Sequence, residues 1–125
     1  MLDNAAVMGF VPTRDFAVAR AFYIDQLGLT LVSQDDFALE VASGDTHIRI
    51  TKVEAFAPFP FTILGWRVPD VVTTVRALAA KGVIFERYHF LQQDEDDIWT
   101  APGGTKVAWF RDPEGNTLSL SQHAA

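Results

Sequence analysis

The chain contains no cysteine, and this absence excludes disulfides, thiolate metal sites and cysteine nucleophiles. Basic residues are also few. Ten lysines and arginines stand against sixteen aspartates and glutamates, which gives a formal net charge of −6. Because a nucleic-acid-binding protein needs a basic face to neutralise phosphates, this balance argues against nucleic acid as a partner.

Long apolar runs are missing as well. No run approaches the ~18 residues of a membrane span. The N-terminal sequence MLDNAAVMGF has neither the basic segment nor the long apolar segment of a signal peptide. We therefore expect a cytoplasmic protein that does not bind membranes. With 125 residues, of which 49% are hydrophobic, the whole chain (1–125) is predicted to form a single domain.

Two helices are predicted, and each starts at an aspartate and ends at a glycine. Asp15 and Asp70 are predicted N-caps, and Gly28 and Gly82 lie at the ends of the apolar helical patterns. Strands are predicted at Val7–Val11, Leu29–Ser33, Phe37–Ala42, Thr46–Val53, Thr62–Val68, Ile84–Tyr88, Lys106–Arg111 and Thr117–Gln122, with a short one at Ile98–Ala101. The chain therefore contains the same strand–helix–three-strand unit twice, about 5–53 and 62–123, with residues 54–61 as a linker.

Polar and apolar residues alternate along the predicted strands, so that each strand has an apolar and a polar face. His47 and Arg49 oppose Ile48 and Ile50, and Ser119 opposes its leucine neighbours. The same parity places Met8, Phe10, Ile63 and Arg67 on the polar faces. A solvated sheet surface is one interpretation of these faces. A ligand cleft is the other, and the mixture of aromatic, apolar and polar side chains favours it.

Two segments carry a resemblance to a known family. VPTRDFAVARAFYIDQLGL (11–29) and FRDPEGNTLSL (110–120), together with the internal repeat, resemble the vicinal oxygen chelate superfamily, which includes glyoxalase I, extradiol dioxygenases and bleomycin-resistance proteins. Of these groups, the sequence most resembles the branch of bleomycin-resistance proteins. The resemblance implies an α+β fold of two tandem βαβββ modules, in which a curved mixed sheet encloses a cleft and the helices cover its outer face. It also implies a homodimer and, through that branch, sequestration of cationic drugs in antibiotic resistance.

The enzymes of that superfamily hold a divalent metal with histidine and glutamate side chains from four strands. Counting from the shared motifs carries these positions to Met8, Arg49, Ile63 and Ser119. A thioether is too soft a ligand for such a site, a guanidinium carries a fixed positive charge, and isoleucine has no donor atom. The sequence therefore predicts no metal and no cofactor in the usual place. His47 shares its strand face with Arg49, which disfavours a metal there too.

The charged residues do not decide whether a ligand would be cationic or anionic. The acidic run Asp94–Asp97 is either a solvated loop or, beside Trp99, a rim that attracts a cationic ligand. Arg49 and Arg67 instead favour a ligand with a carboxylate or a phosphate, since a guanidinium offers a bidentate fork.

Three functions remain. The first is a metal-independent binding protein for a small-molecule ligand, with contacts from Met8, Phe10, His47, Arg49, Ile63, Arg67, Trp99 and Ser119. The second is a diverged lyase, isomerase or dioxygenase that uses a displaced metal or none. The third is a dimer whose cleft is vestigial and whose role is protein interaction.

Overall fold

The computed structural model describes residues 1–124, which form two compact units. The first unit covers residues 1–57, and the second begins at Pro58. Each unit contains one main helix and one four-stranded mixed sheet, with strand orders β1-β4-β3-β2 and β5-β8-β7-β6. The predicted α+β fold of two modules is confirmed. The predicted single domain, linker and cleft stay predictions.

The strands lie close to their predicted positions, with small shifts at their ends. In each sheet the first and last strands of the module pair in parallel, and the remaining pairs are antiparallel. The bounds are β1 (Met8–Thr13), β2 (Thr30–Gln34), β3 (Ala38–Ser43), β4 (Thr46–Lys52), β5 (Thr62–Arg67), β6 (Trp99–Thr100), β7 (Lys106–Arg111) and β8 (Thr117–Gln122).

The first predicted helix forms in two parts. Helix α1 (Phe16–Arg20) starts where the carboxylate of Asp15 accepts hydrogen bonds from two backbone N–H groups. It continues as the π-helical segment Ala21–Gln26, and the Leu27 N–H donates to the Phe22 carbonyl, five residues back, at 2.9 Å. The π-helical turn was not predicted, because the spacing of apolar residues alone does not distinguish π-helical from α-helical hydrogen bonding.

The second helix, α2 (Val71–Ala80), also starts at its predicted cap. The Asp70 carboxylate accepts from the N–H and the hydroxyl of Thr73, and these bonds hold the pKa of Asp70 below its usual value. Gly82 follows the helix with φ +94°, a conformation that favours glycine. Among the described residues, no helix is both long and apolar enough to span a membrane.

The predicted strand Ile84–Tyr88 is wrong. Phe85 makes a single bridge to Phe110, and the Glu86 N–H donates to the Trp109 carbonyl at 2.7 Å. The chain then leaves β7 and returns to it at β6. Residues 87–98 form an inserted segment instead, because side chains within this segment satisfy its backbone groups.

Gln93 fixes the inserted segment. Its side-chain oxygen accepts from the Tyr88 N–H at 2.7 Å, and its amide nitrogen donates to the carbonyls of Glu86 and Asp97 at 2.9 and 2.8 Å. Arg87 donates to the carbonyls of Gln93 and Asp94. The extra residues are therefore an ordered loop at the edge of the second sheet.

The turn between β7 and β8 depends on Asp112. Its buried carboxylate accepts from the N–H groups of Glu114 and Asn116 at 3.0 and 2.9 Å, and from the Asn116 side-chain amide at 2.8 Å. The DPEGN motif thus closes a hairpin through an aspartate-centred turn.

One face of each sheet is buried with apolar side chains. In the first unit these are Val11, Leu39, Val41, Ile48 and Ile50, together with Ala19, Phe22 and Tyr23 of the helical region. In the second unit they are Ala108, Phe110, Leu118 and Leu120, together with Val71 and Val75 of α2 and with Val83, Phe85 and Ile98 outside the strands. The opposite face of each sheet carries the predicted site residues other than Ile63, which lies where the register of β5 is irregular.

Candidate functional site

The polar face of the first sheet combines apolar and charged side chains. The strand register pairs Met8 with His47 and Phe10 with Arg49, while Glu40 pairs with Arg49 from the other side. Cross-strand partners point to the same side of a sheet, so these residues share one face. We call this set (Met8, Phe10, Glu40, His47, Arg49) the first-module face. Met8 and Phe10 remain 40% and 62% exposed there.

Glu40 lies at the centre of the charged part of this face. One carboxylate oxygen is 2.7 Å from the His47 Nδ1 atom, and the other accepts from Arg49 Nη1 at 3.3 Å. The Glu40 side chain is only 16% exposed, whereas those of His47 and Arg49 are 43% and 35% exposed. The acid is therefore largely covered, and the two basic groups are presented to the surface.

The polar face of the second sheet is centred on Ser119. The register pairs Ser119 with Gly65 on one side and Trp109 on the other, and it pairs Arg67 with Ser121 in the next row. Trp99 pairs with Val107 in that same row. We call Gly65, Arg67, Trp99, Trp109 and Ser119 the second-module face.

Ile63 does not pair with Ser119. The register between β5 and β8 shifts between Thr62 and Leu64, so Ile63 falls in an irregularity and Gly65 lies beside Ser119. A Cβ atom at Gly65 would lie 2.9 Å from the Ser119 Oγ atom. Glycine at this position therefore leaves room for the serine side chain.

Aromatic rings form a continuous row on and beside the second-module face. The ring centroids of Trp99 and Trp109 are 6.0 Å apart, and Tyr88 contacts Trp109 edge-on at 5.6 Å. Phe90 stacks on Tyr88 at 5.4 Å. Burial raises the pKa of the Tyr88 phenol. A surface depression of about 380 Å³ adjoins Trp99, Gln93 and Thr100.

Sequence reasoning included Trp99 among the candidate residues but did not include Glu40, Tyr88 and Trp109. A signal existed for Trp109, because it alternates with the buried Ala108 and Phe110 along β7. Glu40 likewise alternates with buried Leu39 and Val41.

Acids of the run Asp94–Asp97 form hydrogen bonds and ion pairs within the second unit. Asp94 accepts from the N–H groups of Asp96 and Ile98. Asp96 forms an ion pair with Arg76 at 3.0 Å, and Asp97 forms one with Arg87 at 3.2 Å. These carboxylates stabilise the inserted segment, so three of the four acids of the alternative rim for a cationic ligand already have partners within the second unit.

Comparison with models of known protein families shows which family the chain belongs to. The model of the Glyoxalase/Bleomycin resistance protein/Dioxygenase superfamily matches residues 4–120. The chain belongs to this superfamily. No curated protein sequence matches it significantly.

Solved structures share the fold of this superfamily member. TnmS3, an antibiotic binding protein from Streptomyces sp. CB03234, is 24% identical over 99% of each chain, with a TM-score of 0.74. A bleomycin-binding protein in complex with bleomycin is 21% identical over 97% of this chain and 100% of its own, with a TM-score of 0.74. A superfamily member from Sphaerobacter thermophilus is 19% identical over 98% of this chain and 100% of its own, with a TM-score of 0.76.

The residues that counting from the shared motifs assigns to the superfamily's metal positions do not fit a metal. Met8, Arg49 and Ser119 supply a thioether, a cation and a neutral hydroxyl, and Ile63 supplies no donor. Within residues 1–124, no three histidine, aspartate or glutamate side chains are grouped so that they could hold a metal ion. Glu40 and His47 are close together, but Arg49 contacts the same carboxylate.

Proposed function

We propose that this superfamily member binds a small aromatic molecule without using a metal. The observation that carries the proposal is the second-module face, on which Trp109 lies beside Ser119 and Trp99 contacts Trp109. The resemblance places a metal-binding glutamate of the superfamily's enzymes at Ser119. Indole rings offer large flat surfaces, and an aromatic pair contributes about 0.5–1.5 kcal/mol beyond the burial of its area. A few hydroxyl and guanidinium donors next to such rings are typical of a ligand site.

We propose ligand contacts on each of the two faces, taken by itself. They are the side chains predicted from the sequence, with Trp109 and Tyr88 added from the aromatic row. On the first module they are Met8, Phe10, His47 and Arg49, and on the second they are Ile63, Arg67, Trp99 and Ser119.

The nature of two similar proteins supports an antibiotic as the ligand. TnmS3 is an antibiotic binding protein, and another similar structure is a bleomycin-binding protein with bleomycin bound. We propose that this protein sequesters an aromatic antibiotic. Arg49 and Arg67 make a neutral or acidic compound a better match than a cationic one.

A second candidate function is metal-free acid–base catalysis. It is favoured by the short contact between His47 Nδ1 and the Glu40 carboxylate, because a carboxylate orients an imidazole in many general bases. A diverged lyase or isomerase would use the other ring nitrogen to move a proton. Conversion of a bound compound to a product would distinguish this function from sequestration.

The binding function is tested by thermal unfolding of chelator-treated protein in the presence of aromatic antibiotics, bleomycin and simple organic acids. A ligand at 100 times its Kd stabilises the native state by about 2.7 kcal/mol, which amounts to several degrees in Tm. We expect such a shift without metal, and we expect Trp109→Leu to reduce it relative to that variant's own Tm.

Phe37→Leu is the matched control, because Phe37 is an aromatic residue that is 75% exposed and lies on neither face. Its ligand-induced shift should equal that of the wild type. A shift that requires added metal, or that Trp109→Leu leaves unchanged, would contradict the proposal.

A further inference from the structure

We propose that the first-module face binds the carboxylate of an apolar acid through Arg49 and His47, with Glu40 as the residue that positions both. This names the ligand class of the proposed function and rests on it. The residues concerned all lie in the first unit, on β1, β3 and β4.

Glu40 holds the two basic side chains from below the surface. Its carboxylate oxygens are shared between them, at 2.7 Å from His47 Nδ1 and 3.3 Å from Arg49 Nη1. Because both oxygens already have a partner and the side chain is 16% exposed, the carboxylate presents little negative charge to an arriving anion. Its effect is to fix the direction in which the two bases point.

The bases keep donors for a ligand. Within residues 1–124, Arg49 forms hydrogen bonds and ion pairs only with Glu40, through Nη1, so its Nε and Nη2 atoms are unused. These two atoms form one edge of the guanidinium, which matches the two oxygens of a carboxylate. His47 contacts Glu40 through Nδ1, which leaves Nε2 as a further donor when the ring is protonated.

Apolar side chains lie directly beside these donors. The register places Met8 next to His47 and Phe10 next to Arg49 along the parallel β1–β4 pair. Both are well exposed, so the face offers contact area for a hydrocarbon body whose charged end reaches the bases. An aryl or alkyl carboxylate has this chemistry, whereas a polyamine or an uncharged polar molecule does not.

The acidic character of the chain does not oppose such a ligand at short range. The net charge of −6 acts over distances at which salt screens it, since the Debye length is about 8 Å at physiological ionic strength. Asp35 is a second acid near Arg49, besides Glu40. Its pKa is lowered mainly by the N–H groups of Phe37 and Ala38, and to a smaller extent by the charge of Arg49. Those bonds, at 2.8 and 2.9 Å, hold its carboxylate at the β2–β3 turn.

The test compares three probes that share an aromatic body and differ in charge: phenylacetate, phenylacetamide and phenethylamine. Each is titrated into isotope-labelled, metal-free protein at physiological salt and followed by NMR. We expect phenylacetate to bind most tightly and to shift the Arg49 Nε–H and His47 ring signals. Arg49→Ala should weaken phenylacetate about tenfold or more, because a hydrogen-bonded ion pair is lost, and should leave phenylacetamide unchanged.

Two further variants test the contributions of the guanidinium geometry and of Glu40 to phenylacetate binding. Arg49→Lys keeps the charge without the fork and should recover part of the affinity, while Glu40→Gln should weaken phenylacetate by loosening both bases. Arg20→Ala is the control for charge, since Arg20 lies on α1 and bonds Gln34. It should bind all three probes like the wild type.

Equal affinity for phenylacetate and phenylacetamide would overturn the inference, and so would an Arg49→Ala variant with full phenylacetate affinity. Failure of all three probes to bind would overturn it as well. The proposed function is judged separately, by the thermal screen with aromatic compounds and by the effect of Trp109→Leu on the Tm shift that they cause.

Discussion

At Gly65, the absence of a side chain leaves room for the Ser119 hydroxyl on the second-module face. The two residues are cross-strand partners on the parallel β5–β8 pair. An alanine Cβ at position 65 would lie 2.9 Å from Ser119 Oγ and 3.3 Å from the Ser119 carbonyl oxygen. The hydroxyl can turn away, but the backbone oxygen cannot, so the sheet must adjust.

We therefore expect Gly65→Ala to lower the free energy of unfolding by about 1–3 kcal/mol, the usual cost of an overpacked site. Urea unfolding measures this. Gly103→Ala is the matched control, because a Cβ there meets no atom within 4 Å, and it should be close to neutral. In the Ser119→Ala background the cost at Gly65 should be smaller. Wild-type stability in Gly65→Ala would contradict the account.

At this scale the sequence predicts which residues share a face but not which of them touch. Strand parity placed His47 and Arg49 together correctly. The role of Glu40 depends on the register of β3 against β4, and a shift of one residue would turn its side chain to the buried face. Ile63 shows the same limit, since strand parity placed it on the polar face but did not predict the irregularity in β5 at which it lies.

Among the elements, the inserted segment 87–98 distinguishes the second module from the first. In the first sheet an unbroken strand, β2, lies next to β3. In the second, the corresponding edge of β7 is covered by Phe85 at one end and by β6 at the other. The insertion brings Tyr88 and Trp99 to Trp109, and so builds the aromatic row.

Gln93 should be the residue on which this insertion depends. Gln93→Ala removes three hydrogen bonds to backbone groups, and we expect a loss of about 1–3 kcal/mol in unfolding free energy. Hydrogen exchange should also speed up in residues 87–98. Gln92→Ala is the control, because the exposed Gln92 makes no hydrogen bond within residues 1–124. Equal effects of the two substitutions would show that Gln93 has no special role.

Local signals predicted the helices well and the insertion poorly. A cap such as Asp70 acts within its own first turn, so its signature is visible in a short stretch of sequence. Segment 84–88 has apolar residues suited to a strand, but its pairing is decided by the Gln93 side chain five residues beyond Tyr88. A pattern-based prediction does not contain that contact.

For the whole molecule, the two modules repeat their topology but not their surface chemistry. Both sheets have the same strand order, with a parallel pair between the first and last strands of the module. The first-module face presents basic groups held by Glu40, and the second presents two tryptophans in contact, of which Trp109 lies beside Ser119. The superfamily could be recognised from motifs that build this shared topology. The ligand could not, because it depends on side chains that differ between members.

Metal content is the measurement that tests metal-independent binding most directly. The protein is purified without chelator, incubated with Ni²⁺, Zn²⁺, Mn²⁺ or Fe²⁺, freed of unbound metal, and analysed for metal per chain before and after addition of an aromatic ligand. The donor set of Met8, Arg49, Ile63 and Ser119 predicts no stoichiometric metal in either state, together with full ligand binding. One tightly bound metal ion per chain, required for the ligand to bind, would contradict the account.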